Sequence, residues 1–330
     1  MKVRFLLAGA LALMVLALPP VSASATPAFS LRVEAPGQLL DPGTQYATRS
    51  PIGALRGETL PGGNCARGSG SIPLAGRNAL GLLASAANAN KALQPMWVVE
   101  DSFGRRVCRI AAHSETDTPF TGWLYRLNHV APPTSAELAQ VGKGDEVLWA
   151  FADFGVGTNT GDELVLSAPP RTTPGLLEVT VQAISFDGVV RVAPDGTVVT
   201  GGTAPATTTG GKATVPLQPG TTALRATGPG LAPTEIRSQA MDVCVAAALE
   251  DCPKRRGLNL VGTNLRDNMK GGPGPDVIRT RGGRDKIRVR GGGEDVVVCG
   301  RGRDLAITDA EDRLRRCERI RTSGDKKSKG

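Results

Sequence analysis

The chain has 330 residues, a formal net charge of +8, 4% aromatic residues, 42 glycines and 24 prolines. This length predicts two or three domains, and the composition favours short strands and turns over a large helical core. Residues 253–330 hold 21 Lys and Arg against 11 Asp and Glu, which gives +10 there and leaves −2 for the remainder. No aromatic residue is interleaved with these charges, which argues against nucleic-acid binding by base stacking.

Residues 1–25 have the features of a secretory signal peptide. Lys2 and Arg4 precede the apolar run Phe5–Leu18, which is too short to span a bilayer comfortably. Small residues at positions 23–25 form a cleavage site, so we expect the mature chain to start at Thr26. A retained membrane anchor is the alternative. No later stretch has membrane-spanning length, which predicts a secreted, extracellular or cell-surface protein without a membrane span in its mature chain.

Six cysteines in an exported chain indicate disulfides. Their order along the chain suggests three consecutive pairs, although the sequence does not determine the connectivity: Cys65–Cys108, Cys244–Cys252 and Cys299–Cys317. A zinc site is the rival interpretation. It is not favoured, because the chain has no C-x-x-C motif and only two histidines.

The region 26–170 is expected to form an α+β domain. Phe29–Glu34 alternates apolar and polar residues, as a half-buried strand does, and a Gly/Pro-rich loop is predicted from there to Ser71. Asn78–Leu93 has the apolar spacing of a helix. Two further strands are predicted around a turn at residues 102–104: Met96–Glu100 and Val107–Ala111.

Two later segments of this region carry a family signature. They are Gly122–Asn128, with the sequence GWLYRLN, and Val141–Phe151, with the sequence VGKGDEVLWAF. Together they resemble the transcobalamin C-terminal-like domain family over residues 28–170. The resemblance implies that the two segments are neighbouring strands and that the upstream helix packs on their sheet. It does not transfer cobalamin to this chain. Three aromatic residues either line a surface for a small ligand or pack in the core: Trp123, Tyr125 and Trp149.

Residues 171–252 are predicted to form a small β-sandwich after a Pro/Thr-rich linker at Arg171–Pro174. The stretch from Lys212 to Thr227 resembles the carrier-like or Ig-like modules of surface proteins, which implies an Ig-like sandwich. Short strands are expected between Gly, Pro and Asp turns at Leu177–Ala183, Val189–Val192, Thr197–Thr200, Ala213–Leu217, Thr222–Thr227 and Asp242–Val245.

Aspartates recur after this module at positions 267, 276, 285, 295 and 304, in steps of 9, 9, 10 and 9 residues. Glycines precede each Asp, and a mostly apolar residue follows it two places later. The cleanest copy, Gly271–Arg279, has the sequence GGPGPDVIR and fits the nonapeptide template G-G-x-G-x-D-x-U-x, in which U is a bulky apolar residue. Residues 262–307 therefore resemble the RTX, or hemolysin-type, calcium-binding repeat family.

This resemblance implies a short parallel β-roll over residues 253–320, in which two nonapeptides form one coil. Residues eighteen apart then stack on adjacent coils, so Asp267, Asp285 and Asp304 line one edge, and Asp276 and Asp295 the other. Aspartate carboxylates and turn carbonyls would bind Ca²⁺, which takes six to eight oxygen ligands. The implied calcium-binding residues are Asp267, Gly271, Gly272, Gly274, Asp276, Gly283, Asp285, Gly293, Asp295, Gly302 and Asp304.

The U positions predict a thin core for this roll. They are Met269, Ile278, Ile287 and Val297, and the small Ala306 at the next U position predicts that the roll ends there.

Arginines beside the aspartates leave a second interpretation open. A metal-free solenoid held by Arg–Asp pairs is the alternative, because the residues at positions 266, 284 and 303 are arginines. Residues 321–330 are predicted to form a basic flexible tail, which is either simply solvated or bound to an anionic cell-envelope polymer.

No sequence motif supports an enzyme. The chain lacks G-x-S-x-G, H-E-x-x-H and a complete phosphate-binding loop, and Asp153-Phe154-Gly155 has no accompanying kinase motif. His113 and His129 lie in no recognisable nucleophile setting. The sequence predicts a non-enzymatic, mainly β, multi-domain secreted or surface protein whose repeat folds on Ca²⁺. The alternatives are an extracellular small-ligand-binding protein and an envelope-associated adhesion protein with a metal-free repeat.

Overall fold

The structure, a computed structural model, describes residues 28–61, 63–102, 104–117, 120–153, 161–228, 236–252, 257–291 and 293–322. The predicted signal peptide, Phe154-Gly155 and the basic tail beyond Thr322 lie outside these residues. Within them, strands dominate and there is a single α-helix, so the prediction of a mainly β multi-domain fold is confirmed.

The first module contains ten strands and the helix, in two sheets. Its elements are β1 (Ala28–Ala35), β2 (Gln38–Ala47), β3 (Ile52–Thr59), β4 (Cys65–Leu74), α1 (Ala79–Ala89), β5 (Met96–Asp101), β6 (Gly104–Ile110), β7 (His113–Ser114), β8 (Thr116–Asp117), β9 (Phe120–Leu127) and β10 (Glu146–Asp153). One sheet has the order β2-β1-β10-β9-β8 and the other β4-β3-β5-β6-β7. The helix α1 packs against strands of both sheets, and one apolar core joins them.

The helix α1 is buried on almost all sides because most of its residues are small. Its sequence is ALGLLASAANA, and every residue from Ala79 to Ala87 is buried. Asn78 caps the helix by accepting a hydrogen bond of 2.7 Å from the Gly81 N–H. A Cβ atom at Gly81 would overlap the Ala75 carbonyl oxygen, so glycine at this position permits the close backbone contact.

The predicted strands of this module are present, and β9 and β10 are antiparallel neighbours as expected. The predicted Gly/Pro-rich loop is wrong, because the chain forms β2, β3 and β4 there. The apolar alternation of β4 is weak, since most of its residues are at least partly exposed. The helix ends at Ala89 and not at Leu93, because Asn90 is extended and caps a short 3-10 turn.

The second module is a sandwich of two sheets with a shared apolar core. Its strands are β11 (Glu163–Ser167), β12 (Arg171–Thr172), β13 (Gly175–Ile184), β14 (Val190–Val192), β15 (Val198–Thr200), β16 (Ala206–Thr207), β17 (Lys212–Leu217), β18 (Gly220–Thr227) and β19 (Met241–Val245). In one sheet β13 pairs with β11, β14 and β17, and the other has the order β12-β19-β18-β15-β16. The first strand, β11, lies upstream of the expected boundary at residue 171, and part of the predicted linker pairs as β12.

Buried charged groups join the first two modules. Arg32 on β1 is 0% exposed and forms ion pairs with Glu146 of its own module and with Glu163 at the start of β11. From β9, Arg126 donates hydrogen bonds of 2.8 to 3.2 Å to the carbonyl groups of Ile184, Ser185 and Gly161. Since a buried charge is tolerated only when it is paired, these contacts hold the two modules in one arrangement.

The third module is a parallel β-solenoid. Its strands are β20 (Asn259–Val261), β21 (Asn268–Lys270), β22 (Val277–Arg279), β23 (Gly282–Gly283), β24 (Lys286–Arg288), β25 (Val296–Val298), β26 (Arg301–Gly302), β27 (Leu305–Thr308), β28 (Arg313–Arg315) and β29 (Arg319–Thr322). One sheet runs β20-β22-β25-β28 and the other β21-β24-β27-β29, with β23 paired to β26. Asn268 pairs with Lys286, eighteen residues on, so one coil comprises two nonapeptides as expected.

The thin core of the solenoid contains all four of the predicted bulky U residues. The prediction that the roll ends at Ala306 is wrong, because β28 and β29 add a further coil up to Thr322. The Cys299–Cys317 disulfide, with a Cα–Cα distance of 5.0 Å, joins this last coil to the one before it. Arg321 and Thr322, which the sequence assigned to the flexible tail, belong to β29.

The first coil of the solenoid is attached to the first module by main-chain hydrogen bonding. The strand β20 pairs in parallel with β2, with Gln45 opposite Leu260. The two modules therefore share one nine-stranded sheet, in the order β28-β25-β22-β20-β2-β1-β10-β9-β8. Residues 257–322 have no such partner when they are separated from the first module, so experiments on the solenoid require the whole mature chain.

We expect the Gly81→Ala substitution to destabilise the first module. The added methyl group collides with the Ala75 carbonyl, and overpacking of this kind costs about 1–3 kcal/mol. Urea unfolding followed by tryptophan fluorescence measures the effect, since Trp97, Trp123 and Trp149 all lie in this module. The matched control is Gly53→Ala on β3, where an added Cβ meets nothing within 4 Å and the change stays within about 1 kcal/mol. Equal stability of the two variants would contradict the packing argument.

Candidate metal site in the C-terminal solenoid

The five repeat aspartates point into the solenoid corners. None is more than 2% exposed. Four of them accept a hydrogen bond from a backbone N–H of the preceding coil: Leu258 to Asp276 (2.7 Å), Asp267 to Asp285 (2.7 Å), Asp276 to Asp295 (2.7 Å) and Asp285 to Asp304 (2.8 Å). We call this series the aspartate ladder. It satisfies backbone donors that the thin solenoid could not pair otherwise.

Acidic residues that the repeat pattern missed complete the ladder in the last coil. Asp312 accepts from the N–H groups of Asp295 and Asp309, at 3.1 and 2.7 Å, and Glu318 accepts from the N–H of Asp304 at 2.9 Å. These residues lie 17 and 14 positions after their donors, so the nine-residue period does not reach them. The signal in the sequence that could have identified them is an acidic residue opposite each strand of the ladder.

The aspartates fall into two groups, according to whether their second carboxylate oxygen accepts a hydrogen bond. The Oδ2 of Asp276 accepts from the Gly272 N–H at 2.7 Å, and the Oδ2 of Asp267 accepts from the Thr263 N–H at 2.7 Å. The Oδ2 atoms of Asp285, Asp295 and Asp304 are buried and have no hydrogen-bond donor among the described residues. A buried anionic oxygen without a partner is costly, so these three atoms are suited to meet a cation.

Burial also shifts the protonation of these groups. It raises the pKa of both Asp285 and Asp295 to about 6. For Asp295 the neighbouring carboxylates of Asp276, Asp312 and Asp309 raise the pKa further. Burial therefore disfavours the charged form of each carboxylate, and a bound cation would stabilise that form.

The two edges of the solenoid differ in charge. The acidic edge contains Asp276, Asp295, Asp309 and Asp312. The arginine edge contains Asp267, Asp285, Asp304 and Glu318, and each of its three aspartates is preceded by an exposed arginine at position 266, 284 or 303. Positive charge outside the arginine edge weakens its attraction for a cation, whereas the acidic edge has no such row of arginines.

Arg–Asp pairing does not hold the ladder in the described part of the chain. There the ladder aspartates form one ion pair, between Arg49 of the first module and Asp267, with 3.2 Å from Nε to Oδ1. The arginines next to the aspartates in sequence form none with them in these residues. The backbone N–H groups take the role that the metal-free interpretation gave to guanidinium groups.

The predicted glycines have two different surroundings. Gly283 and Gly302 pair through β23 and β26 on the arginine edge, where a Cβ on Gly302 would overlap the Gly283 carbonyl oxygen, so they serve coil stacking. On the acidic edge, Gly271 and Gly272 pack directly against the Asp276 carboxylate. Gly274 is buried in the same turn, and Gly293 adopts a φ of 104° beside Asp295.

No group of three or more His, Cys, Asp or Glu side chains is arranged as a metal site within the described ranges. An ion on the acidic edge therefore requires backbone oxygens beside its carboxylates. Calcium accepts such a mixed oxygen set, and the buried Oδ2 of Asp295 is an oxygen on this edge that accepts no hydrogen bond among the described residues. The donor chemistry of the acidic edge fits Ca²⁺ on these grounds.

All three disulfides occur in the predicted pairing: Cys65–Cys108, Cys244–Cys252 and Cys299–Cys317. Each module contains one of them.

The aromatic residues of the first module pack inside it. Trp123 and Trp149 are buried, and the Tyr125 hydroxyl donates to the Thr134 carbonyl at 2.5 Å. Two surface cavities of ≈ 590 and ≈ 570 Å³ in the described structure are lined by other residues. These aromatic residues therefore contribute to the core, which does not favour the small-ligand interpretation.

No family model, curated protein or solved structure matches this chain. The resemblances to RTX repeats and to the transcobalamin C-terminal-like domain remain predictions from their motifs. Among the described residues, no helix has the length and apolar character needed to cross a membrane.

We expect the calcium-free protein to become more stable as the pH falls from 7.5 to 5. The pKa of Asp285 and Asp295 is about 6 in the fold against an ordinary 3.8, so the folded state binds these protons more tightly than the unfolded chain does. Stability is gained as the pH falls through about 6 and lost as it rises. Calorimetric Tm values in EDTA at both pH values measure this.

The double variant Asp285→Asn/Asp295→Asn is the control for that pH dependence. Asparagine Oδ1 can still accept the ladder hydrogen bond, but the side chain does not titrate. The difference in Tm between pH 5 and pH 7.5 should shrink in this variant. A difference as large as that of the unmodified protein would show that other groups cause it.

Proposed function

We propose that the C-terminal solenoid binds Ca²⁺ at the acidic edge and that the ion stabilises the exported protein. The observation that carries the proposal is the buried Oδ2 of Asp295, which has no donor among the described residues and lies in the field of three further carboxylates. Asp295 would hold the ion through this oxygen, with at most one further carboxylate of the acidic edge and with backbone oxygens of the glycine turns.

Calcium suits this edge better than a transition metal does. All available donors are oxygen atoms, because the edge has no histidine and both cysteines of the solenoid are joined in a disulfide. Hard divalent cations prefer carboxylate and carbonyl oxygen, whereas zinc and copper sites favour imidazole and thiolate. When bound, the ion would supply positive charge to carboxylates that otherwise repel one another.

The solenoid is a segment whose folding depends on such help. Its core has eight fully buried apolar residues, while residues 257–322 contain ten acidic and fifteen basic residues. A core of this size offers little stabilisation against the loss of chain entropy, so the disulfide, the pairing with β2 and the ion share the task.

Export explains when the ion would bind. The three disulfides are compatible with an oxidising, extracellular location, where calcium is also abundant. An extracellular site with a dissociation constant of about 10⁻⁴–10⁻³ M would stay empty in the cytosol and fill after secretion. We therefore assign a structural, non-enzymatic role to calcium in a secreted or surface protein.

Addition of 10 mM CaCl₂ to the mature chain in place of EDTA should raise the free energy of unfolding by about 2.7 kcal/mol, if the dissociation constant is near 10⁻⁴ M. Isothermal titration calorimetry measures binding, and urea unfolding followed by far-ultraviolet circular dichroism measures stability. The absence of both heat and stabilisation at 10 mM calcium would refute the proposal.

Matched variants test which edge of the solenoid binds the ion. Asp295→Asn/Asp312→Asn changes the acidic edge and should abolish the calcium-dependent stabilisation. Asp285→Asn/Asp304→Asn removes the same charge from the arginine edge and should keep it. The reverse result would place the ion on the arginine edge and overturn the assignment to the acidic one.

A further inference from the structure

The outer surface of the sheet β21-β24-β27-β29 is densely basic. Side chains alternate inward and outward along each strand: the inward residues Met269, Ile287 and Ala306 are buried, and Ile320 at the matching position of β29 is 48% exposed. Eight cationic residues occupy the outward positions of these strands or immediately precede the ladder aspartate that leads into them: Arg266, Lys270, Arg284, Lys286, Arg288, Arg303, Arg319 and Arg321. We call this surface the basic face. No Asp or Glu occupies an outward position on its four strands.

The charges of the basic face are not neutralised by the rest of the described chain. No carboxylate there lies within ion-pair distance of any of the eight side chains. Arg288 donates a hydrogen bond of 2.8 Å to the side-chain oxygen of Asn268. This neutral partner orients the guanidinium group but does not neutralise its charge. Six of the eight side chains are exposed, and Lys286 and Arg288 are half-buried.

The opposite surface shows that this is not a general property of the solenoid. The sheet β20-β22-β25-β28 presents three arginines outward, Arg279, Arg313 and Arg315, among valines. One of them, Arg313, forms an ion pair with Glu294. The acidic side chains of this module are turned into the corners or lie in turns, so positive charge collects on one face.

The basic face is flat and rigid. Neighbouring strands lie about 4.8 Å apart and residues rise by about 3.3 Å, so the cations cover about 14 Å across four strands and about 13 Å along them. The ladder hydrogen bonds and the Cys299–Cys317 disulfide hold the coils in register. A ligand binding here would not have to order the backbone first.

The composition of the face selects the ligand class. Arginine binds the oxygens of sulfate and phosphate through paired N–H donors, and six of the eight cations are arginines. Residues 257–322 contain no aromatic side chain on which a base could stack. A repeated lattice of cations matches a ligand with repeated anionic groups better than a single small anion.

We propose that the basic face binds a linear polymer of sulfate or phosphate groups, such as an anionic polysaccharide of a cell envelope or matrix. The basic face and the acidic edge share no side chain, so this binding does not require calcium. The polymer would bind to the folded strands of the basic face rather than to the chain end at residues 323–330.

Titration calorimetry of the mature protein with heparin and with long-chain inorganic polyphosphate, in 50 mM salt with EDTA, tests the proposal. The two probes share the chemistry and separate its sources, since heparin binding alone indicates sulfate and polyphosphate binding alone indicates phosphate. We expect micromolar or tighter binding of at least one probe, with affinity that falls steeply as salt increases. If neither probe binds, the proposal is wrong.

Charge-matched variants locate the site. Lys286→Gln/Arg288→Gln/Arg319→Gln/Arg321→Gln should weaken binding at least 30-fold. The control Arg67→Gln/Lys91→Gln/Arg171→Gln/Arg315→Gln removes the same number of positive charges, all from exposed side chains elsewhere, and should weaken it less than 3-fold. Equal losses would show attraction to net charge alone, which overturns the assignment.

Two further controls keep the test decisive. If the first variant fails to fold by circular dichroism, Lys286→Gln/Arg288→Gln, which alters a single strand, replaces it with an expected loss of at least 5-fold. A chain that lacks residues 323–330 should bind normally, and loss of binding in that chain would move the site to the tail. Binding to phosphatidylglycerol vesicles but to neither polymer would identify a membrane surface instead and contradict the proposal.

Discussion

The hydrogen bond from a backbone N–H of one coil to the buried aspartate carboxylate of the next is the contact on which the C-terminal module depends. Each such bond, as between the Asp276 N–H and Asp295, satisfies a main-chain donor at a corner where no strand can pair it. The same bond uses only one carboxylate oxygen. In Asp285, Asp295 and Asp304 the other oxygen is buried and has no donor among the described residues, and burial raises the pKa of these three groups.

This arrangement also separates charge across the solenoid. Carboxylates are drawn inward because they accept backbone hydrogen bonds, while arginines and lysines cannot do so and remain on the outer surface. The positive charges next to the aspartates in sequence, such as Arg284, therefore do not cancel the negative charges in space. A short module with fifteen basic and ten acidic residues in this way keeps its ladder carboxylates in the corners and much of its positive charge on one outer surface.

The first module is the base to which both other modules attach. Its strand β1 carries the buried Arg32 that pairs with Glu163 of the sandwich, and its strand β2 pairs with the first strand of the solenoid. The two attachments differ physically. Ion pairs in a buried site fix one orientation, whereas a shared sheet continues main-chain hydrogen bonding from one module to the next. The solenoid therefore begins on an existing template, which reduces the cost of forming its first coil.

Sequence by itself determined the features that are local and periodic. The nine-residue spacing of aspartates and apolar residues predicts the coil length, the inward residues such as Ile278 and the one-coil spacing of Cys299 and Cys317, because stacking repeats the same distance along the chain. Tertiary structure alone decided what depends on distant partners: β2–β4 as strands, the pairing of β20 with β2, and the last coil with Asp312 and Glu318. The reason is that the repeat period is the same for both edges of the solenoid. The surroundings of each carboxylate arise only when the coils stack on each other and on the first module. Stacking leaves the Oδ2 of Asp295 without a donor among the described residues and brings Arg49 to Asp267.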